Sequence, residues 1–435
     1  MSAPNAWRRE VGFFLRERSS LLWIVVALVL ASYAVATGLG EVAAQRAELA
    51  NLQTADQIER ARAIEAHGDW GSSAYYTFHL TWDPPAPLSF AALGHRDALP
   101  WKHRIRMLAL EGQIHERDVA NPTFALLGRF DYAFVVSLLL PLFLILILHD
   151  LRASERDAGR FELLEATAGS SVALFRTRAW LRSGALTVAV LLPLLLAGVI
   201  NHVALGTLSL ATLAVLAYAA FWTLVCQRLA RLQQSGPVIF CALLGVWLLL
   251  AIVVPAAGRT IVERAVPVPS LGEIALTQRE AVNDAWDLPK TATFDPFIER
   301  HPEWRDYTAF DSQFEWKWYY AFQQVGDQTA EPLALAYRDG LQRRDALAGW
   351  LAVVAPPALI ERVLQRLGET DLAAALDYEA DVRRFHANLR NYYYPLLFEA
   401  PAYDEALLSS LPRYVPTQQA DAKGSTESDS SVMDG

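Results

Sequence analysis

Four stretches of this chain contain no Asp, Glu, Lys or Arg, and they limit what it can fold into. They lie between Arg18 and Glu41, Asp131 and Asp150, Arg182 and Arg228, and Arg231 and Arg259. A charge at mid-bilayer costs at least about 2.5–3.5 kcal/mol, so segments that cross hydrocarbon exclude charges. Crossing about 30 Å of hydrocarbon takes about 20 mainly apolar residues. A soluble domain offers no comfortable place for a charge-free run as long as the third stretch. The chain therefore reads as a multispanning membrane protein. Composition agrees: 53% of its 435 residues are hydrophobic and 20% are charged, against a usual charged share of about 25%.

The stretches resolve into five spans: 21–37, 131–149, 184–200, 209–227 and 237–256. Asn201, His202 and Gly206 mark a tight polar turn between the third and fourth. A cleaved signal peptide is the alternative for the first span. Its apolar run is longer than a signal core, Ala43-Ala44-Gln45 is a weak cleavage site, and further spans follow, so a retained anchor is expected. Segment 346–360 is apolar but short and contains Pro356-Pro357. It suits an interfacial or buried segment better than a sixth span.

Basic residues set the orientation. They concentrate in segment 1–20 (Arg8, Arg9, Arg16, Arg18), in loop 150–183 (Arg152, Arg156, Arg160, Arg176, Arg178, Arg182) and after the fourth span (Arg228, Arg231). The positive-inside rule makes these segments cytoplasmic. Segments 38–130 and 257–416 then lie outside a plasma membrane, which for a bacterium is the periplasm. The C-terminus is outside too, and 417–435 has a disordered composition. The expected fold is a mainly α-helical membrane protein with about five transmembrane helices and two large extracytoplasmic mixed α/β segments. Residues 40–67 and 101–114 read as helical, and Leu372–Phe398 as a long amphipathic helix. Phe314, Trp316, Trp318 and Tyr320 alternate like a strand, with Tyr319 and Phe322 confusing the period.

No enzyme motif is present. The chain has no phosphate-binding G-x-x-x-x-G-K-[ST] loop, no H-E-x-x-H, no C-x-x-C and no G-x-S-x-G. No catalytic residue, metal ligand or cofactor of its own is expected. His95, His103 and His115 share one outer segment without ligand spacing, and Glu111 with His115 reads as an ordinary helix-surface pair. Cys226 and Cys241 both fall in spans. The aromatic clusters around Trp316–Tyr320 and Tyr392–Tyr394 read as domain core or interfacial belt. A net charge of −9 argues against a nucleic-acid partner.

The informative segment is the loop between the second and third spans. Phe161, Leu163, Leu164 and Ala168 fall on one helix face, preceded by Glu155, Arg156 and Asp157, and a polar break at 167–171 leads to a second amphipathic stretch. The run Glu155-Arg156-Asp157-Ala158-Gly159-Arg160-Phe161-Glu162-Leu163-Leu164-Glu165-Ala166-Thr167 resembles the E-R-E-x-G-T-L-x-x-L-x-x-[ST] signature of type-2 ABC exporter permeases. Asp157 stands for Glu, and Arg160 replaces Thr. Segment 359–367, Gly368-Glu369-Thr370-Asp371-Leu372 and Leu411-Pro412-Arg413-Tyr414 also look like a branch of that family with large extracytoplasmic domains. The resemblance implies a coupling helix docking on a cytoplasmic ABC ATPase dimer through Glu155, Arg156, Asp157, Gly159, Phe161, Leu163, Leu164 and Thr167. It also implies ATP and Mg held by that partner chain, a second permease subunit and surrounding lipid. Family members carry a sixth span, so the chain is expected to be an exporter half without its closing helix. A membrane-anchored scaffold of an envelope complex, or a membrane-anchored periplasmic enzyme, are the alternatives.

Overall fold

The computed structural model describes residues 3–97, 99–115, 130–167, 171–408 and 410–417. Residues 418–435 and most of the polar break after Thr167 lie outside them. Helix α1 (Ala3–Phe14) precedes α2 (Arg18–Ala66), which has 49 residues. At 1.5 Å per residue α2 is about 73 Å long. The first span and the polar helix after it are therefore one rod. Gly38 stands where this rod touches a loop, because a Cβ there would lie 2.0 Å from the Phe90 carbonyl oxygen.

Five helices among the described residues are long and apolar enough to cross a membrane, as the charge pattern requires. After α2 comes α5, built from Tyr132–Phe134, a π-helical turn Val135–Leu139 and Leu140–Leu148. Before it, in the outer segment, lie α3 (Trp70–Tyr76) and α4 (Leu110–His115). Short helices α6 (Ala153–Asp157) and α7 (Phe161–Thr167) lead to α8 (Ser171–Ile200) and α9 (Leu205–Leu229). The turn between α8 and α9 holds His202 at φ 54°. The fifth helix, α10, comprises Gly236–Leu248, a second π turn Leu249–Val253 and Val254–Ala265.

Both π turns end two residues before a proline, Pro141 and Pro255. A proline inside a helix lacks an amide and presses on the carbonyl four residues earlier, and a wider turn relieves that clash. In α5 that carbonyl belongs to Ser137. The Tyr218 hydroxyl of α9 donates to it at 2.6 Å, and Trp247 Nε1 of α10 donates to the Leu138 carbonyl at 3.2 Å. Neighbouring helices thus satisfy backbone groups that hydrocarbon cannot.

The two large segments outside the five helices, one between α2 and α5 and the other after α10, form one domain. Strands β1 (His79–Trp82) and β2 (Lys102–Ile105) make an antiparallel ladder pairing His79 with Ile105. After α10 the chain forms α11 (Leu271–Asp284), α12 (Lys290–Arg300), α13 (Trp316–Ala352), α14 (Pro356–Leu367), α15 (Leu372–Phe398) and the short α16 (Glu405–Leu408). Trp70, Ile105 and Met107 of the first segment share a core with Phe297, Phe322, Val382 and Leu389 of the second. Among the described residues the expected mixed α/β character reduces to that single ladder. The alternating aromatics from Trp316 onward are helical, because Trp318, Ala321 and Phe322 repeat at helical spacing on the buried side. The helix expected over 101–114 is instead β2 followed by α4. Lys102–Ile105 alternates in burial with period two against β1, which is the strand signature.

Segment 346–360 does not continue as one helix. The chain turns between Ala352 and Pro356, and two prolines open α14, where a missing amide costs nothing. Ile360 and Leu364 of α14 pack into the bundle core beside Val135 and Leu88. A loop after α14 fixes the domain further, because Thr370 Oγ1 donates to the Ala92 carbonyl at 2.7 Å and the His95 amide donates to the Thr370 carbonyl at 2.8 Å. Leu411 and Tyr414 are core residues, and Tyr414 meets Trp82 edge-on at 5.2 Å.

Charged side chains bolt the segments together. Asp327 of α13 accepts from the Leu110 amide at 2.7 Å and from Gln278 Nε2 at 2.6 Å, and it pairs with Arg390. Arg383 forks onto Glu111 at 2.7 and 2.9 Å, with His115 Nε2 at 3.2 Å from the same carboxylate. Glu111 is therefore buried, contrary to its reading as a surface residue. Burial works to raise its pKa, but Arg383 and His115 outweigh that and hold the carboxyl down at about 2.

Replacing Tyr218 by Phe orphans the Ser137 carbonyl and should cost about 1–3 kcal/mol of stability in a thermal melt in detergent. Pro141→Ala supplies the missing amide, so the loss should shrink in that background. Equal losses in both backgrounds would refute the pairing.

Candidate functional site

At the end of the bundle away from the domain, α1, α6, α7 and the start of α8 enclose a cleft of about 710 Å³. Its walls carry Arg9, Glu10, Phe13, Glu155, Leu164 and Arg178. The local fold explains the sequence. The end of α6 is a Schellman turn, in which the Arg160 amide bonds the Glu155 carbonyl and the Gly159 amide bonds the Arg156 carbonyl, each at 2.9 Å. That geometry needs a left-handed residue, and Gly159 supplies it at φ 67°. A Cβ at Gly159 would meet nothing within 4 Å, so the glycine is there for its backbone angle alone.

Ion pairs hold the two short helices. Arg178 of α8 donates to Glu10 of α1 at 2.7 Å and to Glu155 of α6 at 2.9 Å, and Arg160 donates to the other Glu155 oxygen at 2.8 Å. Glu10 is only 3% exposed. One guanidinium therefore joins three helices that lie far apart in sequence. Arg182 pairs with Glu17 and donates to the Ile147 carbonyl at 3.1 Å. Arg156 donates to the carbonyls of Leu232 and Gln234 in the turn between α9 and α10. Phe161 stacks on Phe175 at 5.9 Å, and Arg152 covers the Phe175 ring at 5.0 Å.

The eight residues of the signature divide by direction. Glu155, Arg156, Phe161 and Leu164 are engaged within the chain. Asp157, Gly159 and Leu163 face solvent, and Leu163 is 65% exposed. Thr167 closes α7. Glu10, Phe175, Arg178 and Arg182 were not singled out as site residues from the sequence. The arginines read there as membrane anchors, and no local spacing links Glu10 to a partner 168 positions away.

The outer histidines do not converge. His103 stacks on Tyr378 at 5.6 Å, His115 sits by Glu111, and His95 lies in the loop that meets Thr370. Among the described residues, no three His, Cys, Asp or Glu side chains form a group that could hold a metal. His149 turns its Nδ1 to the Ile145 carbonyl at 3.1 Å, closing the span.

A family model described as a domain of unknown function (DUF3526) matches residues 272–417. No curated protein and no solved structure matches the chain. The matched stretch runs from α11 through the residues after α16. It contains the domain helices that follow α10, but not α3, α4 or the ladder, and none of the cleft.

Gly159→Ala places a side chain at a left-handed angle and should destabilise the α6–α7 turn by about 1 kcal/mol without a steric clash. Asn, which tolerates that angle, should be milder. Hydrogen exchange localised to residues 153–167 reads the difference. Equal protection in wild type and Gly159→Ala would show that the turn does not depend on the glycine.

Proposed function

We propose that this chain is the permease subunit of an ABC-type exporter, with the α6–α7 turn as the element that docks on a separate ATPase. The observation that carries this reading is the exposed Leu163 on a short helix whose other contacts are locked inward. An exposed leucine within the signature run offers a partner an apolar anchor. It lies at the end of the bundle opposite the domain, and the signature resemblance falls on the same residues.

The ion pairs suggest how motion would pass. ATP and Mg bound by the partner ATPase dimer would close it and push on α6 and α7. Arg178 would carry that displacement to α1 and α8, and Arg156 to the α9–α10 turn. Transport requires the push to favour one of two packings by a few kcal/mol. A second permease subunit, identical or homologous, would complete the pore. In this reading the membrane is a bacterial plasma membrane, α1 is cytoplasmic and the domain is periplasmic. The chain itself performs no hydrolysis.

The test is Leu163→Asp, which leaves the hydrogen bonds of Glu155, Arg156 and Arg178 in place. Burying a leucine contributes about 1.5–3 kcal/mol, so ATPase affinity should fall tenfold or more. The readout is Mg-dependent ATPase activity and azido-ATP photolabelling of polypeptides that co-purify with the tagged chain. Unchanged recovery with the variant, or no nucleotide-binding polypeptide with wild type, would contradict the proposal.

A further inference from the structure

On the domain side of the membrane, the end of α10 runs antiparallel to the end of α13. A Cβ on Gly258 would lie 3.2 Å from Leu351 Cδ1, so the two helices nearly touch there. Arg259 is the first charge after the apolar run of the fifth span. This contact therefore lies at the hydrocarbon boundary. Below it the tip of the α13–α14 turn projects apolar side chains: Trp350 is 78% exposed, and Val353 and Val354 are each 60% exposed. Such a tip in water would be an uncompensated apolar patch, whereas at this depth it meets acyl chains.

Beside the tip is a pocket of about 330 Å³ between α10, α13 and the start of α14, with His95 contributed by the first outer segment. Its floor is apolar, with Leu351, Ala352 and Ala355, and its rim is charged. Arg362 forks onto Asp345 at 2.7 and 2.9 Å, and Arg259 pairs with Glu263 at 2.7 Å. Arg344 is different. Its Nε donates to the Val266 carbonyl at 2.8 Å, and no carboxylate among the described residues lies within ion-pair distance. The rim thus carries three arginines, Arg259, Arg344 and Arg362, against two carboxylates, Glu263 and Asp345, above a greasy floor that is continuous with the lipid-facing side of α10.

We propose that this pocket holds a phospholipid from the leaflet on the domain side, with its phosphate diester on Arg344 and an acyl chain on the floor formed by Leu351, Ala352 and Ala355. The match is one of charge and depth. The phosphate supplies a direct ion-pair partner for Arg344, the arginine in excess at the rim, at the height where headgroups sit. The inference depends on the five membrane spans and not on the exporter proposal, so either can fail alone.

The test uses the full chain, purified in mild detergent and delipidated stepwise, with bound lipid counted by native mass spectrometry. The probes are phosphatidylglycerol, diacylglycerol with the same chains, and inorganic phosphate. Wild type should retain one phosphatidylglycerol, hold diacylglycerol more weakly and show no competition by phosphate. Arg344→Gln removes a charge-assisted bond and should lower retention about tenfold. Ala348→Phe fills the pocket without touching the charges and should also lower it, so the two variants test the site by independent routes. Melting midpoints close to wild type establish that each is folded. The proposal is overturned if retention survives in the folded variants, if phosphate alone competes, or if the bound mass is a second copy or another protein.

Discussion

Hydrocarbon accepts neither a charge nor an unpaired peptide group, and the architecture of this chain is organised by that constraint. Charges are absent from the spans, which fixes five helices and their order. Backbone groups freed by proline within the spans must find partners there. The Ser137 carbonyl, orphaned by Pro141, receives the Tyr218 hydroxyl, and that bond ties α9 to α5. A helix irregularity thus becomes a packing contact. In water the same carbonyl would be solvated, and nothing would require the tyrosine to reach it.

The second organising feature is α2. Its apolar half belongs to the bundle and its polar half to the domain, so the first outer segment grows directly out of a span. The second outer segment grows out of α10 in the same way. Their shared core, with Glu111 held by Arg383 and the Leu110 amide by Asp327, means that neither segment is complete alone. A shift of the spans would therefore be carried into the domain by two rods emerging from the membrane. At the other end Arg178 unites α1, α6 and α8, so both ends of the bundle are mechanically closed.

Much of this was legible in the chain itself, and the physical reason is the strength of the signal. Charge exclusion over 20 residues is a large energy, so the spans and the Asn201–His202 turn could be read directly, while Leu372–Phe398 was legible from an amphipathic pattern sustained over its length. Short elements could not. Lys102–Ile105 is a strand only because His79–Trp82 lies beside it, and the Trp316–Tyr320 aromatics fit either period until the core selects one. The break at Ala352–Pro356 was visible as two prolines. The burial of Glu111 was not, because Arg383 arrives from 272 residues away. At the cleft, the sequence pattern points to a break at 167–171 and not to the turn at Gly159, and the pairing of Glu10 with Arg178 is a tertiary fact with no local trace. The excess of arginine around Arg344 likewise emerges only when α10 and α13 meet.

The proposed function requires the cleft and the domain to lie on opposite faces of one membrane, with the cleft on the side where ATP is found. Single cysteines test that most directly, introduced as Leu163→Cys in α7 and Trp286→Cys in the domain, with Cys226 and Cys241 replaced by alanine. Sealed spheroplasts are treated with a membrane-impermeant maleimide before and after permeabilisation. The account predicts that the cysteine at 286 labels at once and the cysteine at 163 only after permeabilisation. Labelling of both from the same side, or in the reverse order, would contradict it.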